Sequence, residues 1–358
     1  MTPALFTAAA IGLALLVHAW LDGALERTLD RRLALQTGPA PLTGASSLAR
    51  SFAAGLAPLL YHRPALAGAP TLLAALTPAG AWLIILAATA TLPLAPPVHE
   101  ASQPASHALT IFLGLLALDV MLRFLSATSA GSKYAAISGM RELLQSLGAL
   151  APLAICLLAA AAVAGSSDPA EIQVAQGGSL FSWNAMRNPF LLLALVIGMA
   201  SSLALAGTAP FDSAHSTEDT AGGVLAERSS WSLALLALTR RSRLAVGSLA
   251  LVIMFLGGWQ LPVASWNQAT FGSEELRLTQ SGRSLVVGIA IIAILVKVEL
   301  LSVVTRWIGM SSPRIDASRF SRVALAWLLP AAVVALVGAL GWELAFPRRI
   351  WFLPPSWF

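Results

Sequence analysis

The stretch PFLLLALVIGMASSLALAGT, residues 189–208, carries no charge from end to end, and Ala209-Pro210-Phe211-Asp212 closes it. A helix of that length rises about 30 Å, which matches the hydrocarbon thickness of a bilayer. Nothing in it alternates with period two, and no polar face is set aside for water. It therefore reads as a membrane-spanning helix. Similar runs lie at roughly 4–21, 80–97, 107–128, 142–165, 229–258, 284–306 and 323–345. The chain is accordingly expected to be an all-α polytopic membrane protein, a single membrane domain over 1–358 with about eight spans.

Composition agrees. Apolar residues make up 57% of the 358 positions, charged residues 11%, and mean hydropathy is +0.76. A soluble chain of this size carries about a quarter of its residues as charges. The net charge of +5 is mostly arginine, since only Lys133 and Lys297 are lysines. These arginines sit between apolar runs as topology anchors and do not imply nucleic acid. Cys156, the one cysteine, lies inside an apolar run, which excludes internal disulfides and cysteine-held iron–sulfur clusters. His18, His62, His99, His107 and His215 show no HxxxH or HExxH spacing, so no metal site is expected. The first run has neither a basic region before it nor a small-residue cleavage site after it, and reads as a retained span.

Arginine and lysine counts orient the spans. Loop 1–2 carries Arg27, Arg31, Arg32, Arg50 and Arg63; loop 3–4 and its flanks carry Arg123, Lys133 and Arg141. Loop 5–6 carries Arg228 with Arg240, Arg241 and Arg243 beyond it, and loop 7–8 carries Arg306, Arg314, Arg319 and Arg322. The other side has Arg187, Arg277, Arg283, Arg348 and Arg349. The four richer loops are expected in the cytoplasm and both termini outside, across the cytoplasmic (inner) membrane. Arg240, Arg241 and Arg243 interrupt the sixth run, and are expected near the headgroups because charge at the bilayer centre is expensive. Leu48, Phe52, Leu56, Leu59 and Leu60 recur at helical spacing in 42–61, which suits an interfacial helix or, equally, a short helix buried against the bundle.

Two groups of polar residues stand out. The loop 209–228 holds Asp212, His215, Glu218, Asp219 and Glu227, a set suited to a basic partner or a proton relay, or simply to solvation. Within the spans, Asp119 and Arg123 are spaced to pair on one helix face. Arg141 and Glu142 open the fourth span with Gln145 one turn in, and Lys297 and Glu299 lie in the seventh, within two turns of Arg306. Lys297 and Glu299 project differently and do not pair with each other. Ionisable groups inside a membrane are costly unless used or paired.

From loop 5–6 outward the ordered motifs resemble one family. Ala209-Pro210-Phe211-Asp212, then acids, then Leu225-Ala226-Glu227-Arg228-Ser229 resembles its VPFD…E…EYSG stretch. Glu26-Arg27 with Gln36, Gly38 and Pro39 resembles its ER…Q.R.GP, and Gly139-Met140-Arg141-Glu142-Leu143 with Gln145 and Pro152 resembles the start of its fourth span. Phe255-Leu256-Gly257-Gly258-Trp259 resembles its FLGGW. Lys297, Arg306-Trp307, Pro313-Arg314, Asp316, Trp327 and Leu329-Pro330 resemble its ending. The family is subunit 1 of respiratory complex I (NADH-quinone oxidoreductase), with relatives in membrane-bound nickel–iron hydrogenases and formate hydrogenlyase.

The resemblance implies a subunit without a redox centre or cofactor of its own. It would join a peripheral electron-transfer arm of Fe–S and hydrogenase-like or quinone-reductase-like subunits to antiporter-like membrane subunits. Quinone would bind at the interface with a peripheral subunit. Asp212, Glu218, Asp219, Glu227, Glu142, Lys297 and Glu299 become candidates for proton coupling. Glu26, Arg27, Gln36, Gly38, Pro39, Arg141, Gln145, Phe211, Arg306, Arg314 and Asp316 become candidates for the quinone chamber or the peripheral-arm interface. The sequence also departs from the pattern: His215 and Thr217 replace two glutamates, Leu150 a third, Ala54 and Ala57 two charged positions, and Arg228 a tyrosine. These changes point to a hydrogenase-type or divergent member. A scaffold without ion coupling and an unrelated solute transporter are the alternative readings; no internal repeat favours the latter.

Overall fold

The computed structural model describes residues 71–94, 107–212, 230–267 and 280–346, with residues 12, 14–19, 21 and 23 of a first helix, α1. Among them every regular element is helical. The others are α2 (Thr71–Ala90), α3 (Ala108–Thr128), α4 (Lys133–Ala164), α5 (Pro169–Ala175), α6 (Asn184–Arg187), α7 (Pro189–Ala206), α8 (Ser230–Phe255), α9 (Ala264–Asn267), α10 (Gln280–Ser311) and α11 (Ala317–Ala345). Five of these, α3, α4, α7, α10 from Leu285 and α11, are long and apolar enough to cross a membrane. The interfacial segment 42–61 and most of the loop 209–228 lie outside the described residues, as do Glu26, Arg27, Gln36, Gly38, Pro39, Glu218, Asp219 and Glu227.

Several helices begin earlier than apolar runs alone suggest. Helix α2 starts at Thr71, nine residues before the expected 80, although Pro78 lies inside it. Proline withholds the donor that the Ala74 carbonyl would take; the Thr77 hydroxyl donates to the neighbouring Leu73 carbonyl at 2.9 Å, and the helix runs on through the proline. Helix α4 starts at Lys133 because the Ser132 side chain accepts from the Ala135 amide at 3.1 Å, the usual serine N-cap. Its 32 residues reach about 48 Å, so Arg141, Glu142 and Gln145 lie two to three turns inside the helix instead of opening it. Helix α7 is capped by Asn188, which accepts from the Phe190 amide at 3.0 Å, and ends at Gly207 with φ +65°. Helix α11 widens into a π turn at Ala324–Leu328, just before Pro330. A widened turn accommodates a proline that cannot donate.

Helices α4, α7 and α8 form the centre. Small residues let their backbones approach, as packing in lipid requires where apolar burial drives little. A Cβ on Gly198 would sit 2.6 Å from Leu251 Cδ2, and one on Gly247 would sit 2.8 Å from Ser202 Cβ. Along the spans large apolar side chains turn outward: Leu118 on α3, Ile292 and Leu300 on α10, and Trp327 and Leu344 on α11, the last two 74% and 86% exposed. Asp119, Arg123, Arg243 and Arg306 are turned inward, while Lys133, Arg314, Arg319 and Arg322 are exposed near helix ends. That inversion suits a lipid or protein surround and not water.

Candidate functional site

One end of the bundle gathers the α3–α4 turn, the segment after α7 and the link from α10 to α11. The centre of this end is the turn 207–212. The Ala209–Pro210 bond is cis, and the Phe211 amide donates to the Thr208 carbonyl at 2.8 Å. Four helices hold the turn. Gln145 Nε2 on α4 donates to the carbonyls of Ala204 and Phe211, both at 2.8 Å. Arg240 on α8 donates to the Gly207 carbonyl. Gly309 on α10 leaves room for it, since a Cβ there would lie 2.5 Å from the Ala209 carbonyl oxygen. From α11 the Phe320 ring packs on Phe211, with centroids 4.6 Å apart and planes at 58°. The Ile315 amide adds a bond to the Pro210 carbonyl at 3.0 Å.

Asp212 stands at the rim of this turn. Its carboxylate lies 3.5 Å from the Arg314 guanidinium, which is 66% exposed, a pair worth little in water. Asp316 caps α11, accepting from the Ser318 amide at 3.2 Å and from the Ser318 hydroxyl. The Ser318 hydroxyl bond, chiefly, holds its carboxyl below the usual carboxylate range, and the charge of Arg141 adds to this. Phe211, Gln145, Asp212, Arg314, Asp316 and Arg141 are thus brought to one end of the bundle. Arg306 is buried in α10.

Beneath this end lies a buried charge quartet. Arg243 on α8 makes a two-pronged contact with Asp119 on α3, Nε to Oδ2 at 2.8 Å and Nη2 to Oδ1 at 3.0 Å. Arg123 Nε lies 3.2 Å from the same Oδ2, and Arg123 Nη1 donates to Glu142 on α4 at 3.1 Å and to the Leu205 carbonyl at 3.1 Å. Asp119, Arg123 and Arg243 are all buried. Two cations face two anions, so the quartet is neutral, and each charge has the partner that burial demands. The arginine interruption of the sixth run is answered by protein contact: Arg243 is buried against Asp119.

Lys297 and Glu299 do not join this end. Lys297 Nζ donates to the carbonyls of Leu256 at 2.8 Å, Gly258 at 3.0 Å and Gln260 at 2.6 Å, and sits 3.9 Å from the centre of the Trp183 ring. Those carbonyls belong to the segment just past Phe255, the last residue of α8, where the helix dipole favours a cation. Gln176 and Asn184 complete the cap, donating to the carbonyls of Ile253 and Met254 at 2.8 Å each. Glu299 meets His18 of α1, with Oε1 2.6 Å from Nδ1. Sequence reasoning marks Asp119 and Arg123 without giving them a role, and does not pair Arg243 or His18. The i, i+4 spacing is visible in the chain; which helix answers it is not. Among the described residues no three metal-binding side chains converge.

These features define a multi-pass helical membrane protein, polar within and apolar outside, with one end built around a proline turn above a buried ion network. Within that class the chain belongs to the NADH dehydrogenase family, whose model matches residues 6–340. It is similar to the H subunit of the NADH-quinone oxidoreductase of Anaeromyxobacter dehalogenans (strain 2CP-C), 29% identical over 235 residues, or 65% of this chain and 56% of that relative. It is also similar to the protein of the same name in Salinibacter ruber (strain DSM 13855 / M31), 27% identical over 234 residues, or 64% of this chain and 65% of the relative. The chain thus aligns with less than two thirds of the length of these curated relatives.

Proposed function

We propose that this chain is the membrane subunit that joins a peripheral electron-transfer arm to an ion-translocating membrane arm in a complex-I-like or hydrogenase-like oxidoreductase. It lies in the cytoplasmic membrane with both termini outside, and the end carrying Phe211, Asp212, Arg314 and Asp316 faces the cytoplasm. Peripheral Fe–S and hydrogenase-like or quinone-reductase-like subunits dock there, and quinone binds at that interface. Antiporter-like subunits flank the apolar sides. The observation carrying this reading is the seating of the 207–212 turn by four helices at one end of a family bundle. A rigid platform at the membrane surface is what an electron-transfer arm needs to dock against.

Asp212, Glu218, Asp219 and Glu227, with Glu142 below, supply the carboxylates for coupling. A carboxylate in a low dielectric feels a nearby charge change strongly. Co-purification tests the assembly. The tagged chain should bring down Fe–S and hydrogenase-like or quinone-reductase-like partners; a chain that purifies alone and transports a solute in liposomes would overturn it. Leu150, packed against the core where the family carries a glutamate, favours a second reading, a scaffold without proton coupling. Glu227→Gln and Asp219→Asn separate the two. Impaired pumping with assembly intact supports coupling, and unchanged pumping in both variants supports the scaffold.

A further inference from the structure

Gln173, Gln176, Asn184, Asn188, Gln260 and Asn267 are buried at the end of the bundle opposite the proline turn. Five of these carboxamides are bonded. Gln176 donates to the Ile253 carbonyl at 2.8 Å and accepts from the Gly257 amide at 2.9 Å. Asn184 and Asn188 donate to the carbonyls of Met254 at 2.8 Å and Ala339 at 3.0 Å. Asn267 accepts from the Leu261 amide at 2.7 Å, and Gln260 Nε2 donates to the backbone carbonyl of Gln173 at 2.9 Å. The Gln173 side chain is the exception. It is fully buried, and neither its Nε2 nor its Oε1 has a partner among the described residues. Gln260 Oε1 and Trp183 Nε1 are buried and unbonded in the same way.

These open atoms lie around one stretch of backbone. A Cβ on Gly258 would fall 1.3 Å from Gln173 Nε2, and one on Gly257 would fall 2.4 Å from Trp183 Nε1. The two glycines are adjacent, with φ +71° and +50°, so the chain gives up side chains there to admit an amide and an indole N–H. Lys297 does not answer them. An ammonium has three donors, and the carbonyls of Leu256, Gly258 and Gln260 take all three. Other charges near this end are engaged elsewhere: Asp168 with the Ala170 amide, Glu171 with the Ser166 hydroxyl, and Arg187 with Glu343. Nor does packing call for an amide at position 173. A methionine has a similar length and leaves nothing unsatisfied, whereas a buried amide without bonds costs free energy.

We propose that Gln173, Gln260 and Trp183 form an internal site for ordered water beside the Lys297 cap. Gln173 Nε2 and Trp183 Nε1 are donors, and Gln173 Oε1 and Gln260 Oε1 are acceptors. Water, with two donors and two acceptors, matches both kinds. A metal cation does not fit, because the ammonium already holds the carbonyls and two N–H groups face the cluster. An anion does not fit either, because two carboxamide oxygens face it and the C-terminal end of α8 opposes negative charge. Water here bridges α5, the turn at Trp183 and the segment just past α8. Those are the elements whose carbonyls and ring hold Lys297, so the water is a structural part of that cap.

X-ray radiolysis with mass spectrometry tests the site on the protein purified from membranes through a tag on this chain. Hydroxyl radicals form in place from ordered water and oxidise side chains that bulk solvent does not reach. Trp183, 6% exposed, should be oxidised about tenfold or more faster than the fully buried Phe112, once the intrinsic reactivities of the two rings are divided out. Gln173→Met removes two of the water's partners and should slow Trp183 oxidation about threefold or more, with Phe112 unchanged. A wild-type Trp183 as protected as Phe112, or the same Trp183 rate in the variant, overturns the site. Where the variant does not fold, a cryo-electron-microscopy map of the wild type decides. In a map that resolves ordered water elsewhere in the bundle, density within hydrogen-bond distance of Trp183 Nε1 and the Gln173 amide supports the site, and its absence overturns it.

Discussion

Removing Asp119 should unbalance the buried quartet. Replaced by leucine, it leaves Arg243 and Arg123 facing only Glu142, which reaches Arg123 at 3.1 Å. Two guanidinium groups that now share Asp119 at 2.8 and 3.2 Å would repel each other across an apolar gap. With charge centres about 4 Å apart and an effective dielectric of about 20, each lost attraction is worth ~4 kcal/mol before desolvation. Breaking a buried pair by deleting one partner costs a net ~3–5 kcal/mol. Arg243→Met should cost a similar amount, because it strips Asp119 of its two-pronged partner. The double variant is different. It removes one charge of each sign, leaves the neutral Arg123–Glu142 pair, and fills the space with apolar atoms. Its cost should be no larger than that of either single change, where simple addition predicts ~6–10 kcal/mol. Equilibrium unfolding of the purified chain in mixed micelles measures all three. Additive costs, or an Asp119→Leu variant as stable as the parent, would refute the quartet as an energetic unit.

Lys297→Met should destabilise the chain by ~2–3 kcal/mol, since three carbonyls in the segment just past α8 lose a charged donor; the same unfolding measurement reads it. Lost proton uptake at full stability would argue for a coupling role over a cap. Gln145→Leu leaves the carbonyls of Ala204 and Phe211 without their side-chain donor and should cost ~1–3 kcal/mol. Because it frees the turn 207–212, co-purification of the peripheral arm should fall with it, and retention of the arm at parental level would count against the platform. Asp316→Ala should cost ~1 kcal/mol as a lost N-cap. Its folded-state pKa is lowered, so the stability it contributes is present above the ordinary carboxylate value of about 4 and is lost as pH falls below it. Amide exchange at the start of α11 should accelerate in that acid range in the parent and show no such pH step in the variant.

The helical class was legible because the bilayer demands it: a run such as 189–208 has no other way to satisfy its backbone in lipid. The helix starts were less legible, since capping chemistry at Ser132 starts α4 ahead of its apolar run and α2 runs from Thr71 through Pro78. The site was legible as motifs. Phe211, Gln145 and Asp316 stand out from their order along the chain, and the structure brings them together. What the chain order withheld was pairing. Asp119 and Arg123 sit one turn apart and suggest a self-contained pair, yet Asp119 takes its two-pronged partner from a residue 124 positions away. Lys297 and Glu299, two apart, point to different helices and serve different ends, one closing α8 and the other meeting His18. In a soluble protein an isolated charge can be left to water, so its partner carries little information. In a bundle turned polar-side-in, every buried charge must find an answer within the protein. The location of that answer is therefore a strong constraint on how the helices pack. The arginines that first look like a break in the sixth span are the clearest instance: Arg240 holds the turn after α7 and Arg243 locks α8 to α3, so the charges that seem to argue against a membrane helix fix its place among the others.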